Sequence, residues 1–333
     1  GTGFTGVSIV KFGNVNATSF TVDSDTQITA VVGAAASGSV LVQNIAGNDT
    51  EVGFLFKVLE LKFEGNTLDQ TAANRDGTVV GAATYSPGAS GQAICFTNNN
   101  VVNGTTVQNY LTLPDGLISA RGSNFTISLR FKTSSYGAIL GYQNAAVGAN
   151  SSQWVPILYV QSDGKLNANL WQGSVLNVTS TTRVDDGNWH KVEFSAAPGS
   201  ITVYIDGVLA GTSSGTIDHL SMTSNQLGAV KTTGVWTGDP IDGWFGFNGC
   251  IDEFIIIKVI LPPSPRNQFH QPHMNEGENH RITPGGKIPQ SLPTPPSTHP
   301  CQTHGLILNQ MEYIAGRNTS VRIVPAKVPP ISV

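Results

Sequence analysis

The sequence predicts an all-β protein. Glycine accounts for 37 of the 333 residues and only 12% of the residues are charged, while Thr, Ser, Asn and Val, which suit strands and tight turns, are abundant. Stretches that alternate apolar and polar residues recur along the chain and are separated by turns that contain Gly or Asn. A chain of this length holds about two domains, and the alternating stretches form two groups, residues 1–57 and 58–261.

Residues 1–57 have the pattern of a small β-sandwich. Val7 and Ile9 keep a period of two up to a turn at residues 13–14, and further strand-like stretches follow at 19–22, 27–32, 39–43 and 52–57. In order and spacing these stretches resemble an immunoglobulin-like IPT/TIG domain that lacks its first strand or strands. The resemblance implies an open groove beside unpaired backbone groups. We expect this acceptor groove to be lined by Phe4, Val7, Ile9, Phe20 and Val22.

The start of the chain agrees with a truncated first domain. The first residue is Gly1 rather than Met, so we expect a processed product or a fragment of a longer protein. The low charge and the many Asn, Thr and Gly residues are typical of surface proteins, and we therefore expect a secreted protein at an extracellular or cell-surface location.

Residues 58–261 contain four sequence blocks whose order along the chain indicates a fold. The blocks are LKFEGNTLDQTAANRDGTVVG from residue 61, FTISLRFKT at 125–133, VDDGNWHKVEFSAAPGSITVYIDGVLAG at 184–211 and FNGCIDEFIII at 247–257. Together they resemble the laminin G-like, concanavalin A-like jelly roll over nearly the whole segment. Within the third block, the alternation that ends at Ile205 runs into Asp206 and Gly207, a pair that suits the positive φ angles of a two-residue hairpin turn.

The jelly-roll resemblance gives a meaning to two of the three cysteines. It implies that the first and last strands lie side by side, which would bring Cys95 and Cys250 within disulfide reach. The sequence leaves open whether this bridge forms; if it does, the chain belongs in an oxidising compartment. Cys301 is then left over, either as a free thiol or as an intermolecular link.

Composition and motif spacing exclude several function classes. The net charge is −4 and the 18 Lys and Arg residues are spread along the chain, which argues against nucleic-acid binding. No run of 18 apolar residues is present, so we expect no membrane span. We also expect no catalysis, because Glu60, Glu64 and Glu193 are separated in sequence, and three Asp residues sit beside glycines in turns: Asp163, Asp186 and Asp206.

Binding is harder to exclude than catalysis. The resemblance implies that loop rims bind glycans or proteins, sometimes through calcium. Trp154, Trp171 and Tyr142 are the candidates for stacking on a sugar face, with Trp236 and Trp244 as further aromatic residues; Trp244, flanked by Phe245 and Phe247, is more typical of a core. We expect no metal, and the alternative is calcium at Asp239 and Asp242, two carboxylates for an ion that takes six to eight oxygens.

Seven sequons for N-linked glycosylation occur in the chain. They are centred on Asn16, Asn48, Asn103, Asn124, Asn150, Asn177 and Asn318. Either these residues carry sugars on a heavily coated surface protein, or they are ordinary turn and strand residues in an Asn- and Thr-rich chain.

The composition changes abruptly after residue 260. Of the 18 prolines, 13 lie between residues 262 and 330, so residues 262–304 are expected to form an extended, Pro- and His-rich linker. Residues 305–333 become strand-like again, with apolar residues at Val321, Ile323, Ile331 and Val333. This tail is a candidate donor strand for an immunoglobulin-like domain that lacks a strand.

Three roles for the tail remain open. It folds back onto its own first domain, inserts into the groove of the next molecule, or belongs to one repeat of a longer polypeptide. Insertion into a neighbour would be donor-strand exchange, which propagates as an open filament of copies of the same chain. The leading hypothesis is therefore a structural subunit of an extracellular fibre, and the alternative is a glycan-binding adhesin or an accessory module of a larger surface protein.

Overall fold

The computed structural model describes residues 3–32, 37–71, 73–98, 107–236, 238, 243–258, 310–312 and 320–324, the last two as backbone only. Every regular element in these ranges is a β-strand apart from a short 3₁₀ turn at Ser119–Arg121, which confirms the all-β prediction. The described residues contain no helix with the length and apolar composition needed to cross a bilayer. The predicted linker 262–304, Cys301, Ile331 and Val333 lie outside the described residues.

The first domain consists of two four-stranded sheets. One has the order β2-β1-β5-β6 and the other the order β24-β25-β4-β3. The strands are β1 (Ile9–Phe12), β2 (Val15–Asn16), β3 (Ser19–Ser24), β4 (Gln27–Val31), β5 (Gly38–Asn44), β6 (Gly47–Phe54), β24 (Gln310–Glu312) and β25 (Ser320–Val324).

The core of this domain corrects part of the predicted groove. Val10 and Phe12 of β1 are buried in the core, so Ile9, which alternates with them, is half-buried on the other face. The period of two was therefore assigned to the wrong face of β1. Phe4 is fully buried, whereas three other predicted groove residues pack at the edge of the core as half-buried side chains: Val7, Phe20 and Val22.

The predicted donor segment pairs within its own chain. Strand β25 runs antiparallel to β4, with Val321 opposite Ala30 and Ile323 opposite Ile28. Strand β24 then pairs with the outer side of β25. The edge of β4 is thus paired with a strand of the same chain. Of the three roles open to the tail, the pairing corresponds to folding back.

The second domain contains the remaining strands. In chain order these are β7 (Lys57–Leu61), β8 (Thr78–Val80), β9 (Thr84–Pro87), β10 (Gln92–Phe96), β11 (Tyr110–Leu113), β12 (Phe125–Lys132), β13 (Gly137–Gln143), β14 (Trp154–Val160), β15 (Lys165–Trp171), β16 (Val175–Arg183), β17 (Trp189–Ala197), β18 (Ser200–Ile205), β19 (Val208–Ser214), β20 (Ser224–Leu227), β21 (Ala229–Thr232), β22 (Gly243–Gly246) and β23 (Gly249–Ile257).

These strands form two large sheets around one core. An eight-stranded sheet has the order β19-β18-β17-β12-β23-β10-β9, with β7 also paired to β23, and a seven-stranded sheet has the order β16-β15-β14-β13-β20-β11-β8. Side chains from both sheets meet in a single apolar cluster, for example Phe131 and Phe194 from the first sheet and Leu140 and Leu158 from the second. Strands β21 and β22 form a separate two-stranded sheet. The junction residue Phe56 packs against the cores of both domains.

Strand β23 closes the jelly roll. It pairs with β12 on one side and with β10 and β7 on the other. Cys95 of β10 lies directly opposite Cys250 of β23, and the two residues form a disulfide with a Cα–Cα distance of 4.0 Å. The bridge joins the beginning and the end of the domain across 155 residues.

The predicted hairpin joins β18 to β19. Asp206 and Gly207 have φ angles of 51° and 78°, as a tight primed turn requires. The Asp206 carboxylate accepts hydrogen bonds from the Lys191 amide at 2.8 Å and from His190 Nδ1 at 2.7 Å. His190 Nε2 lies 3.1 Å from the Asp186 carboxylate. Burial alone would lower the pKa of His190, but the hydrogen bonds to Asp206 and Asp186 outweigh burial and raise it.

Removing the disulfide is expected to destabilise the protein strongly. In the chain-entropy model, a bridge across 155 residues lowers the entropy of the unfolded chain by the equivalent of about 5 kcal/mol. The double variant Cys95→Ala/Cys250→Ala should therefore unfold at a much lower denaturant concentration than the parent chain. Cys301→Ala is the control and should unfold like the parent. Equal midpoints for parent and double variant would contradict a bridge that stabilises the fold.

The contribution of His190 to stability is expected to fall as pH rises. Its pKa is raised in the folded state from an ordinary value of 6.5, so its stabilisation is complete below that value and is lost as the pH passes through the folded-state pKa. The urea midpoint of the parent should exceed that of His190→Asn more at about pH 5.5 than at about pH 8.5. A difference that grows with pH would refute this assignment. The effect should stay below about 1 kcal/mol because the partner carboxylates are exposed.

Candidate functional site

An open cavity lined by three tryptophans lies at one end of the seven-stranded sheet. Its volume is about 270 Å³. Trp154 begins β14 and Trp171 ends β15, and because these neighbouring strands are antiparallel, the two residues come to the same end of the sheet. The full lining consists of Ser152, Gln153, Trp154, Trp171, Leu220, Met222, Thr233, Val235 and Trp236. The structure thus brings together two of the three predicted glycan contacts.

Three of the nine residues that line the cavity are tryptophans. The centroids of the Trp171 and Trp236 rings are 6.1 Å apart, with an interplanar angle of 56°. Lys231 Nζ lies 4.0 Å from the centroid of the Trp154 ring, a cation–π contact, and donates a hydrogen bond of 2.8 Å to the Ser151 carbonyl. Burial lowers the pKa of Lys231. Trp236 is 4% exposed, and its indole N–H has no acceptor among the described residues.

Tyr142, the third predicted glycan contact, lies in the core. Its side chain is fully buried and its hydroxyl lies 3.0 Å from His219 Nδ1. His219 Nε2 lies 2.9 Å from the Gly122 carbonyl, which can only accept, so Nε2 carries the proton and Nδ1 accepts from Tyr142. Burial lowers the pKa of His219 and raises that of Tyr142. Tyr142 therefore supports the segment that contains His219 and does not contact a ligand.

This segment, residues 218–222, forms one rim of the cavity. The Asp218 amide donates to the Trp171 carbonyl at 2.8 Å, and the Asp218 carboxylate accepts from the Leu220 amide at 2.9 Å. The amide and hydroxyl of Ser221 both donate to Gln153 Oε1, at 3.1 and 2.7 Å. We name residues 218–222 the rim segment. These hydrogen bonds connect the rim segment to Trp171 at the end of β15 and to Gln153, which directly precedes β14.

A row of polar side chains follows Trp171 along strands β15 and β16. The register of β15 and β16 places Asn169 opposite Asn177 and Asn167 opposite Thr179, on the face that Trp171 shares with Val175. Asn177 Nδ2 donates to the side-chain oxygens of Asn167 and Asn169. Thr179 donates to Asn167 Oδ1 at 2.9 Å. Asn167 and Asn169 are fully buried, whereas Asn177 and Thr179 are half-buried, so only the β16 side of this polar row is open to solvent.

The sequons differ in accessibility. Four of the described ones are centred on exposed residues: Asn16, Asn48, Asn124 and Asn150. The Asn177 side chain is half-buried and its amide nitrogen is engaged in the polar row. Asn103 and Asn318 lie outside the described residues. Glycosylation at any of the seven remains a prediction.

The remaining aromatic and acidic candidates have other positions. Trp244 packs with Tyr110 and Ala229 in a small apolar cluster, as expected for a core residue. Asp239 and Asp242, the calcium alternative, lie outside the described residues. Within the residues that the structure describes, no group of three or more His, Cys, Asp or Glu side chains is arranged to hold a metal ion.

The carboxylates that the sequence analysis considered for catalysis have partners in the fold. Glu60 pairs with Lys57 at 2.7 Å, and Glu193 with Lys191 at 3.3 Å. Glu64 accepts a hydrogen bond from the Gln92 amide at 3.0 Å. The turn aspartates accept backbone amide hydrogens, Asp163 from Lys165 and Asp186 from Asn188. Among the described residues that line the cavity there is no carboxylate.

Comparison with known proteins agrees with the architecture. Residues 103–264 match a laminin G-like family model described as the concanavalin A-like lectin/glucanases superfamily. The chain therefore contains a concanavalin A-like jelly-roll domain, as the sequence blocks predicted.

Solved structures with a similar fold include three of diverse origin. Domain 4 of an extracellular GH43 arabinanase from Geobacillus stearothermophilus, in complex with arabinotriose, is 19% identical over 63% of this chain and 95% of that chain, with a TM-score of 0.42. The binding domain of Botulinum Neurotoxin DC in complex with SialylT is 16% identical over 62% and 48%, with a TM-score of 0.44. The binding domain of Paraclostridial Mosquitocidal Protein 1 is 15% identical over 62% and 50%, with a TM-score of 0.42. This chain thus spans about half the length of the two toxin chains.

Replacing Tyr142 by Phe is expected to loosen the rim segment. The change removes the donor to Nδ1 of the half-buried His219, and the loss of one such hydrogen bond costs about 1 kcal/mol. Thermal unfolding should show this loss, and hydrogen exchange should be faster at the amides of residues 220–222 than in the parent. Tyr204→Phe, a change at a tyrosine of β18 in the other sheet, should leave exchange in the rim segment unchanged. Unaltered exchange in Tyr142→Phe would contradict the supporting role of the tyrosine.

Proposed function

We propose that the jelly-roll domain binds a glycan in the cavity formed by Trp154, Trp171 and Trp236. The observation that carries this proposal is the convergence of three indole rings on an open cavity whose described lining carries no charged side chain. Sugar rings have an apolar C–H face that packs against aromatic rings, while their hydroxyl groups need polar partners at the edge. Gln153, Ser152 and Thr233 supply such groups among the lining residues.

The polar row supports an extended ligand. Its solvent-accessible members are the half-buried Asn177 and Thr179 of β16, whereas Asn167 and Asn169 of β15 are fully buried. Amide and hydroxyl groups both donate and accept hydrogen bonds, which matches the hydroxyls of sugar units that follow the one in the cavity. The family description, which covers lectins and glucanases, supports carbohydrate as the ligand class on the level of fold analogy.

Binding is favoured over hydrolysis by the chemistry of the cavity. Glycoside hydrolysis ordinarily requires a pair of carboxyl groups about 5 to 10 Å apart that flank the scissile bond. The described lining offers indole, thioether, aliphatic, hydroxyl and amide groups. These groups bind and orient a sugar but do not exchange protons with a glycosidic oxygen near neutral pH.

The fibre hypothesis ranks second. It requires the edge of β4 to be free for a neighbour's strand, and this edge is paired with β25 of the same chain. The disulfide supports an oxidising, extracellular location for the glycan-binding protein. We also propose that the first domain is of the IPT/TIG class. Surface glycans are the proposed partners of the whole chain.

A glycan array probed with the full chain tests the proposal. Trp154→Ala and Trp171→Ala should each weaken binding to the recognised glycans about five- to thirtyfold, because each removes an aromatic contact of about 1 to 2 kcal/mol. Leu209→Ala, at an apolar residue that is 54% exposed on the eight-stranded sheet, serves as the matched control and should bind like the parent. Failure of the parent to bind any glycan, or full binding by both Trp variants, would refute the proposal.

A further inference from the structure

Leu220 combines two unusual features at the rim of the cavity. Its φ angle is +48°, in the left-handed region that bulky L-residues avoid. Its side chain is 46% exposed, and it is one of seven large apolar side chains exposed among the described residues. Val235, at 62%, is another of the seven and lines the same cavity. Neither the backbone conformation nor the exposure of Leu220 follows from the ordinary preferences of leucine.

The surrounding rim segment holds Leu220 in this conformation. The Asp218 carboxylate accepts the Leu220 amide hydrogen, and Ser221 on the other side is tied twice to Gln153. The Met222 amide donates to the His219 carbonyl at 3.2 Å, and both nitrogens of the His219 ring are hydrogen-bonded. Fixed anchors on both sides keep the strained residue in place, as occurs where strain serves a site.

The cavity lining includes two chemically different groups of apolar side chains. The tryptophans form an aromatic part suited to a sugar ring. Leu220, Met222 and Val235 form an aliphatic part that offers no partner to hydroxyl groups, so an unsubstituted, hydroxyl-rich sugar would leave this part uncovered or would bury hydroxyls unpaired. A methyl group on the sugar would fill it without that cost. The described lining has no charged side chain, which favours a neutral substituent.

We propose that Leu220 is a ligand-contact residue that selects neutral sugars carrying a methyl group. This inference rests on the proposed glycan binding and specifies the ligand of that site. Two substituents share this chemistry, the methyl of an N-acetyl group and the methyl of a 6-deoxy sugar. The aliphatic part discriminates such sugars from their hydroxyl counterparts by burial of one methyl, which is worth about tenfold or more in affinity.

Matched pairs of probes test the inference with the full chain. N,N′,N″-triacetylchitotriose against cellotriose compares an N-acetyl group with a hydroxyl. L-fucose against L-galactose compares a methyl group at C6 with a hydroxymethyl group. The parent should prefer the methyl-bearing member of at least one pair about tenfold, and the pair that shows the preference identifies the substituent. Leu220→Ala and Leu220→Gly should reduce this preference to about twofold or less.

The two Leu220 variants separate ligand contact from an effect on folding. Gly adopts positive φ without strain, so Leu220→Gly should unfold at the same temperature as the parent or higher, and it should still lose the preference. Leu209→Ala is again the exposed-leucine control and should keep the preference. Two outcomes would overturn this inference but not the proposed function. The first is Trp-dependent binding without any preference for methyl-bearing probes, and the second is a preference that survives both Leu220 variants. Absence of binding to every glycan would overturn the proposed function and this inference with it.

Discussion

The antiparallel pairing of β23 with β12, β10 and β7 is the interaction on which the rest of the structure depends. It brings the last strand of the jelly roll between strands from its beginning and middle, and the Cys95–Cys250 bridge fastens it there. The eight-stranded sheet is continuous only because β23 fills its centre. That sheet provides one wall of the apolar core, and the seven-stranded sheet can bury its inner face only against it. Since these contacts are distant in sequence, we expect the domain to fold slowly. The bridge increases the free energy of unfolding because it restricts the unfolded chain.

The cavity depends on this core through Tyr142. The tyrosine lies on β13 of the seven-stranded sheet, its side chain is fully buried, and its hydroxyl is hydrogen-bonded to His219. His219 in turn fixes the rim segment, which carries Leu220 to the edge of the cavity. A chain of hydrogen bonds thus extends from the packed interior to the candidate site. A rim that is ordered before the ligand arrives loses little entropy on binding, so more of the contact energy contributes to affinity.

The sequence predicts the features that local chemistry determines. The jelly-roll blocks and the Asp206–Gly207 turn leave such a local signal, whereas Trp154 and Trp171 are candidates by residue type alone. Tyr142 was misassigned because all seven residues of β13 are buried, so its neighbours show no alternation that would separate an inner face from an outer one. Ile9 was assigned to the inner face because Val7, Ile9, Val10 and Phe12 allow either phase, and only packing decides between them.

Other parts of the site had no signal in the sequence. Leu220, Met222 and Val235 are single apolar residues between strands, where neither a period nor a motif marks them, and only the fold brings them beside the tryptophans.

For the C-terminal tail, the sequence pattern predicts a strand but does not predict which strand it pairs with. A strand that adds to a sheet edge gains its backbone hydrogen bonds with any acceptor, so sequence pattern does not distinguish the same chain from a neighbour. The concentration of the partner does distinguish them, because donor and acceptor of one chain stay tethered at any dilution, whereas separate copies meet less often in dilute solution. Assembly into a fibre would therefore first have to break the pairing of β25 with β4, and a closed single chain is the state that mass action favours.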